Sequence, residues 1–261
     1  MSEKPRRNWR RRGVSLLVCL CAAWLVYAEA MSLMDWHFAQ QEGLEQPNLG
    51  VVPTAVHEAN VAVLDGSRID RFGFSFQVPW NVIASDRTLD AAAPVAFKEG
   101  AGVLVFNPAS RLDAAKAMRG ATDRDLRIMT EVFGKKTLSG NYELMAAEVD
   151  ATPNDAKWWA GRARNARVLV LLMYKRMNLG DAAAIHTVSA GGVRGFQFGD
   201  PDAAPFLVRL ELFDTADRNY EIILTGKQAN KPVITQAEIN ALVASFRPIS
   251  VRPVSVKPAN S

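Results

Sequence analysis

The 261-residue chain is poor in the side chains from which active sites are usually built. It has two cysteines, Cys19 and Cys21, and both fall in one apolar run near the N-terminus. The body of the chain therefore has no disulfide framework and no thiolate nucleophile or ligand. Of the three histidines, His37, His57 and His186, no two stand three or four positions apart, which leaves no helical spacing for a transition-metal pair. No G-x-S-x-G nucleophile elbow is present. Gly191-Gly192-Val193-Arg194-Gly195 lacks the helix-opening signal and the Gly-Lys-Ser/Thr ending of a phosphate cradle, and reads as a loop between two strands. Asp200-Pro201-Asp202, and Asp214 with Asp217, have the chemistry of turns more than of a cation site. These absences lead to the expectation of a protein that is not an enzyme and holds no metal or cofactor.

Charge of one sign is also missing from most of the chain. Residues 1–13 carry Lys4, Arg6, Arg7, Arg10, Arg11 and Arg12 against Glu3, a net +5, while the whole chain is +4, so residues 14–261 net −1. A nearly neutral body lacks the phosphate-neutralising charge that supplies most nucleic-acid affinity, and no nucleic-acid partner is expected. Apolar content of 49% and charged content of 22% are those of a globular protein with a real core.

What is present begins directly after the basic cluster. Val14 to Ala28 is an unbroken run of apolar and small residues, and extension to Met34 adds only Glu29 as a charge. Such a stretch rises about 31 Å as a helix, enough for a hydrocarbon core of about 30 Å. Tyr27 and Trp36 stand where interfacial aromatics belong, and the basic flank stays cytoplasmic by the positive-inside rule. The expected organisation is a cytoplasmic segment 1–13, a transmembrane signal anchor 14–34, a linker 35–59, an extracytoplasmic domain 60–248 and an extended proline-bearing tail 249–261. This places a single-pass protein in the inner membrane with its C-terminal domain in the periplasm. Ala28-Glu29-Ala30 also fits a signal-peptidase site, and cleavage after Ala30 would leave a soluble periplasmic protein.

Within the domain, Phe72, Phe74, Phe76 and Val78 alternate as in a half-buried strand, and Val103–Phe106 is a short apolar strand. Residues 206–225 form a hairpin turning at Asp214–Arg218, with weaker strands near 60–64, 94–98, 141–149, 183–189 and 193–198. Thr122 caps a helix closed by Gly134, and Thr235-x-x-Glu238 is a capping box opening a helix that buries Ile239, Leu242, Val243 and Phe246. The longest expected helix runs from Thr152 and Pro153 to Gly180, burying Ala156, Trp159, Ala163, Ala166, Val170, Met173 and Met177. Val168 to Met173 is apolar on every side, so that stretch is either sandwiched in the core or covered by a partner. The fold class is α+β, a central, mostly antiparallel sheet sandwiched by helices and preceded by one N-terminal transmembrane helix.

The strand Phe72–Trp80, the strand ending in Phe106-Asn107-Pro108, the paired strands 206–225 and the closing Ala244-Ser245-Phe246-Arg247-Pro248 together resemble the PsbP-like fold. The resemblance spans about residues 60–248 and rests on structural motifs. It implies a central antiparallel sheet with helices on both faces, and binding or assembly support rather than catalysis. The transmembrane anchor and the long helix near 153–178 depart from the family pattern.

Trp158-Trp159 is the remaining feature. Adjacent helical residues point about 100° apart, so if Trp159 joins the buried stripe Trp158 faces elsewhere. Arg162, one turn on, then flanks Trp158 in a candidate partner-binding surface; the other arrangement tucks Trp158 under a neighbouring loop. Trp80 reads as a lid on the core. The expected function is that of an accessory or assembly subunit of a membrane protein complex. The alternative is a periplasmic protein binding a small ligand or lipid.

Overall fold

The computed structural model describes residues 7–55, 62–80, 95–96, 101–105, 121–179, 182–203, 207–226 and 234–248, with backbone alone for residues 7–20. His57, the proline-bearing tail 249–261 and the Asn107-Pro108 strand ending lie outside them. The helices are α1 (Arg7–Glu45), α2 (Asp123–Phe133), α3 (Asn141–Asp150), α4 (Arg162–Leu179) and α5 (Gln236–Ser245). The strands are β1 (Thr54–Ala55), β2 (Arg68–Arg71), β3 (Phe74–Gln77), β4 (Val95–Ala96) and β5 (Ala101–Val105), then β6 (Ile185–Ala190), β7 (Val193–Phe198), β8 (Leu207–Phe213), β9 (Asn219–Gly226) and β10 (Arg247–Pro248).

The main sheet has the order β1-β6-β7-β8-β9-β5-β4 and a second sheet the order β10-β3-β2. Every pairing is antiparallel except that of the two-residue edge strand β1 with β6. Its two long hairpins follow from local sequence. Gly191 and Gly192 both take positive φ (61° and 87°), the backbone of a primed turn that matches strand twist. At the other hairpin the Asp214 carboxylate accepts from Ala216 N, Arg218 N and Tyr220 Oη, so the expected turn at 214–218 is an Asp-organised one.

Strand alternation sorts side chains between two faces. Val208, Leu210, Leu212, Tyr220, Ile222 and Leu224 face the small sheet and α5 in one core. Phe196, Phe198 and Phe213 face the opposite way, packing with Val149 and Leu179 from α3 and α4. The structure is thus α+β, with helices on both sides of a mostly antiparallel sheet. On the first face Phe74, Tyr220 and Phe246 form a triangle with centroids 4.9–5.1 Å apart, and β10 pairs with β3 beside it. The aromatic strand and the closing helix, the two ends of the domain in sequence, therefore meet. Trp80 is buried in the same core.

Several expectations require correction. Residues 141–149 form helix α3 and not a strand; the run Glu-Leu-Met-Ala-Ala-Glu favours helix, and the Asp217 carboxylate caps it by accepting from Asn141 N and Tyr142 N. Phe72 and Gly73 have positive φ and form the β2–β3 turn, so the strand starts at Phe74. Residues 62–64 are irregular. The helix expected from Thr152 is divided. The Thr152–Asp155 capping box closes a single 3-10 turn, residues 156–161 form a loop, and α4 begins at Arg162. Finally, residues 35–45 are not a linker but the last turns of α1, and Trp36 and Ala39 pack into a third core with Leu49, Val168, Leu171 and Leu172. Among the described residues no helix is long and apolar enough to cross a membrane. Residues 14–20, which open the apolar run, lie outside those with described side chains.

Phe246→Ala should cost about 3–5 kcal/mol, because it empties the triangle that joins both sheets to α5. Urea unfolding of the two proteins measures the difference.

Candidate functional site: the α1–α4 helix pair and the Trp158 loop

Helix α4 has two faces of identical spacing. Asn165, Val168, Leu172, Lys175 and Leu179 form the buried row. Ala163, Ala166, Val170, Met173 and Met177, all expected from the sequence to be buried, lie on the opposite side. There Met173 is 57% exposed and Met177 78%, so the apolar row that was expected in the core is the outer one.

The buried row includes two polar residues, and each is satisfied. Asn165 Nδ2 donates to Ser32 O (3.1 Å) on α1 and to Lys157 O (2.8 Å), while its Oδ1 accepts from Lys157 N (3.1 Å). Ser32 Oγ in turn donates to Ala160 O at 2.5 Å. Ten residues on, Lys175 Nζ donates to three carbonyls, Val51 O (2.6 Å), Ala151 O (2.8 Å) and Val149 O (2.9 Å). An ammonium has three protons, and here each has an acceptor. Two of those acceptors belong to the end of α3, where carbonyls are orphaned and the dipole favours a cation. Burial nevertheless pulls the Lys175 ammonium down to about 8.

Between these ties, α1 and α4 run parallel. Arg176 pairs with Glu42 at 2.8 Å, Gln40 Nε2 donates to Pro153 O at 2.6 Å, and Arg162 sits 5.9 Å from the Tyr27 ring centre. Gly43 lets α1 lie close against the Pro153 turn, since a Cβ there would lie 2.6 Å from Pro153 Cγ. Helix α1 is therefore part of the domain from about Met31 onward.

Trp158 and Trp159 occupy the turn just before α4, at the Ser32 level of α1. Trp158 and Trp159 are both exposed (60% and 66%), so neither is tucked under a loop nor buried in the core, and the rings meet edge to face at 5.4 Å. Because this segment is a turn, the helical spacing that would have buried Trp159 does not apply. Lys157 Nζ lies 6.0 Å from the Trp159 ring centre. Arg162 is exposed on the same approach but turned towards Tyr27, so the predicted Trp158–Arg162 surface is broader and includes Trp159, Lys157 and Tyr27.

Two polar constellations lie elsewhere. Thr54 Oγ1 is 2.9 Å from His186 Nδ1, and His186 Nε2 is 2.6 Å from Asp200 Oδ1. This row of hydroxyl, imidazole and carboxylate has the composition of a hydrolytic triad. It ties edge strand β1 to β6 and to the 200–203 turn, and neither described cavity is lined by any of the three. The second is Glu148, buried between α3 and the sheet, whose carboxylate accepts from Asn178 Nδ2 at 2.7 Å. Arg209 lies 4.3 Å from the Phe198 ring centre in the same layer and donates to Asn178 O. Burial raises the Glu148 carboxyl to about 7. The larger described cavity, about 580 Å³ between α3 and α4, is lined by Lys136, Glu143, Asp150, Asp155, Arg164 and Arg167 among others. Among the described residues no group of three or more acidic, histidine or cysteine side chains is placed to hold a metal ion.

The chain matches no protein-family model, no curated protein and no solved structure.

Lys175→Met should destabilise the domain by about 2–4 kcal/mol by stranding three carbonyls, whereas Met177→Ala on the outer face should stay within about 0.5 kcal/mol; chemical denaturation separates them. Glu148 gives a pH signature. The unfolded carboxyl releases its proton near 4.5 and the folded one near 7, so the folded state holds more protons in between and stability falls as pH rises through that window. Glu148→Gln should be more stable than the native protein by up to about 3 kcal/mol above pH 7, and nearly equal to it at pH 4. Thermal melts across that range check both limbs.

Proposed function

We propose that the chain is a non-enzymatic accessory or assembly subunit of a membrane protein complex, anchored through residues 14–34 and facing the periplasm. The observation that carries this reading is the outer row of α4. Ala163, Ala166, Val170, Met173 and Met177 repeat at alternating three- and four-residue steps, the spacing by which one helix receives another. The row is left open to solvent at its upper end, and no cation or acid interrupts it. It starts beside the level at which α1 would leave the bilayer and runs about 21 Å outward. An extracytoplasmic helix of an integral membrane partner fits that placement. The resemblance to PsbP-like domains, whose roles are in binding and assembly, supports the same reading.

The alternative of a periplasmic small-ligand or lipid-binding protein draws on the cavity between α3 and α4. Its charged lining suits a polar ligand and not an acyl chain. Cleavage after Ala30 would keep the Ser32 tie to the domain and remove the contact of Tyr27 with Arg162.

The mature protein should retain its N-terminus; intact mass beginning at Met31 would remove the anchor. From mild detergent the chain should co-purify with a membrane protein, and Met173→Glu with Met177→Glu should abolish that association while changing the melting temperature by no more than about 2 °C. A native chain found only as a monomer, or only as a self-dimer, sinks the accessory-subunit reading.

A further inference from the structure

We propose that the Lys157–Arg164 segment docks on the outer leaflet of the same bilayer, with Trp158 and Trp159 among the lipid headgroups and Lys157, Arg162 and Arg164 on anionic phosphates. The inference rests on the anchored reading of residues 14–34 and adds to it a second, independent membrane contact.

Position comes first. A helix entering a hydrocarbon core of about 30 Å at Val14 leaves it about twenty residues later, near Met34, so Ser32 lies within one turn of the interfacial layer. Ser32 and Asn165 tie the base of the tryptophan loop to α1 at that height, and Arg162 approaches Tyr27 just below it. The loop is thus held at headgroup depth by buried hydrogen bonds.

Chemistry comes second. Two adjacent tryptophans, each more than half exposed, are the side chains most suited to an interface, being apolar in body with one N–H to direct to water or phosphate. Residues 157–164 carry three cations, Lys157, Arg162 and Arg164, and no acid, with Arg164 also bordering the α3–α4 cavity that holds Glu143, Asp150 and Asp155. Asp35 on α1 also faces Arg162. The surplus is positive and adjoins the tryptophans, as an anionic leaflet requires, and the arginine stems can lie along the surface with their heads on phosphate. A protein partner at the same spot would meet the bilayer before it met the rings. The outer row of α4 points away from the domain higher up, and the two surfaces take different occupants.

The test uses the full chain with Cys19 and Cys21 changed to serine, reconstituted in phosphatidylcholine vesicles with or without phosphatidylglycerol. A polarity-sensitive fluorophore is placed through Trp158→Cys or Trp159→Cys, and through Met177→Cys at the far end of α4 as the distant control. Docking predicts a blue shift and quenching by headgroup-nitroxide lipid at 158 and 159 and neither at 177. Quenching should deepen with phosphatidylglycerol and be lost in Arg162→Glu/Arg164→Glu. Labels at 158 and 159 quenched no more than the label at 177 overturn the proposal, as does crosslinking of those positions to a protein instead of lipid. Alkaline carbonate extraction of the same samples reads the anchor separately. A chain that resists extraction but is unquenched keeps the anchor and loses the docking. A chain that is extracted yet still quenched keeps the docking and loses the anchor.

Discussion

Two buried polar side chains on one helix determine how this molecule is assembled. Asn165 and Lys175 lie on the inner face of α4 among leucines and valines, and their hydrogen bonds reach α1, the tryptophan loop, the chain that leaves α1 and the end of α3. Asn165 holds the end of the tryptophan loop and the middle of α1; Lys175 holds the chain leaving α1 and the end of α3. Burial of either group without acceptors would cost several kcal/mol. Each therefore enforces one alignment of α1 on α4, where leucine at both positions would have tolerated sliding. The sheet and its aromatic core then carry a helical layer whose position is set.

The alignment has a functional meaning. Were residues 35–59 a flexible tether, the domain would sample many orientations relative to the N-terminal helix. With α1 continuous through Glu45 and packed on α4, the domain's orientation follows that of the N-terminal helix. The exposed features then acquire fixed heights. Trp158 and Trp159 stand near Ser32, and Met173 and Met177 stand about two to three turns further out.

The readability of the sequence was uneven, for physical reasons. Hairpins and capped helices were legible because their signals are local. The 206–225 alternation, the turn at Asp214–Arg218, and the boxes at Thr122 and Thr235 act within a few residues of chain. Helix α4 was misread because its sequence holds two rows at the same spacing. Apolarity favours the row of alanine, valine and methionine over the row containing Asn165 and Lys175. Burial went to the latter because acceptors arrived from residues 32, 51 and 149–157, which no local pattern connects to it. Helix α3 was missed for a similar reason, its N-terminal cap being Asp217, some 76 positions away. At the candidate surface the exposure of Trp158 and Trp159 was not legible from helical spacing, because both stand in the loop that precedes α4.

The sequence separations of those ties carry a consequence for biosynthesis. Asn165 lies 133 residues after Ser32, and Lys175 lies 124 after Val51. Helix α1 emerges first, yet the surface that receives it exists only once α4 has followed. At typical synthesis rates of about 5–20 residues per second, the interval is several seconds to half a minute. During it the inward side of α1, with Trp36 and Ala39, is without its partner, and whatever shields that face acts on the nascent chain. Helix α1 is thus made long before α4 and finds its place only after it.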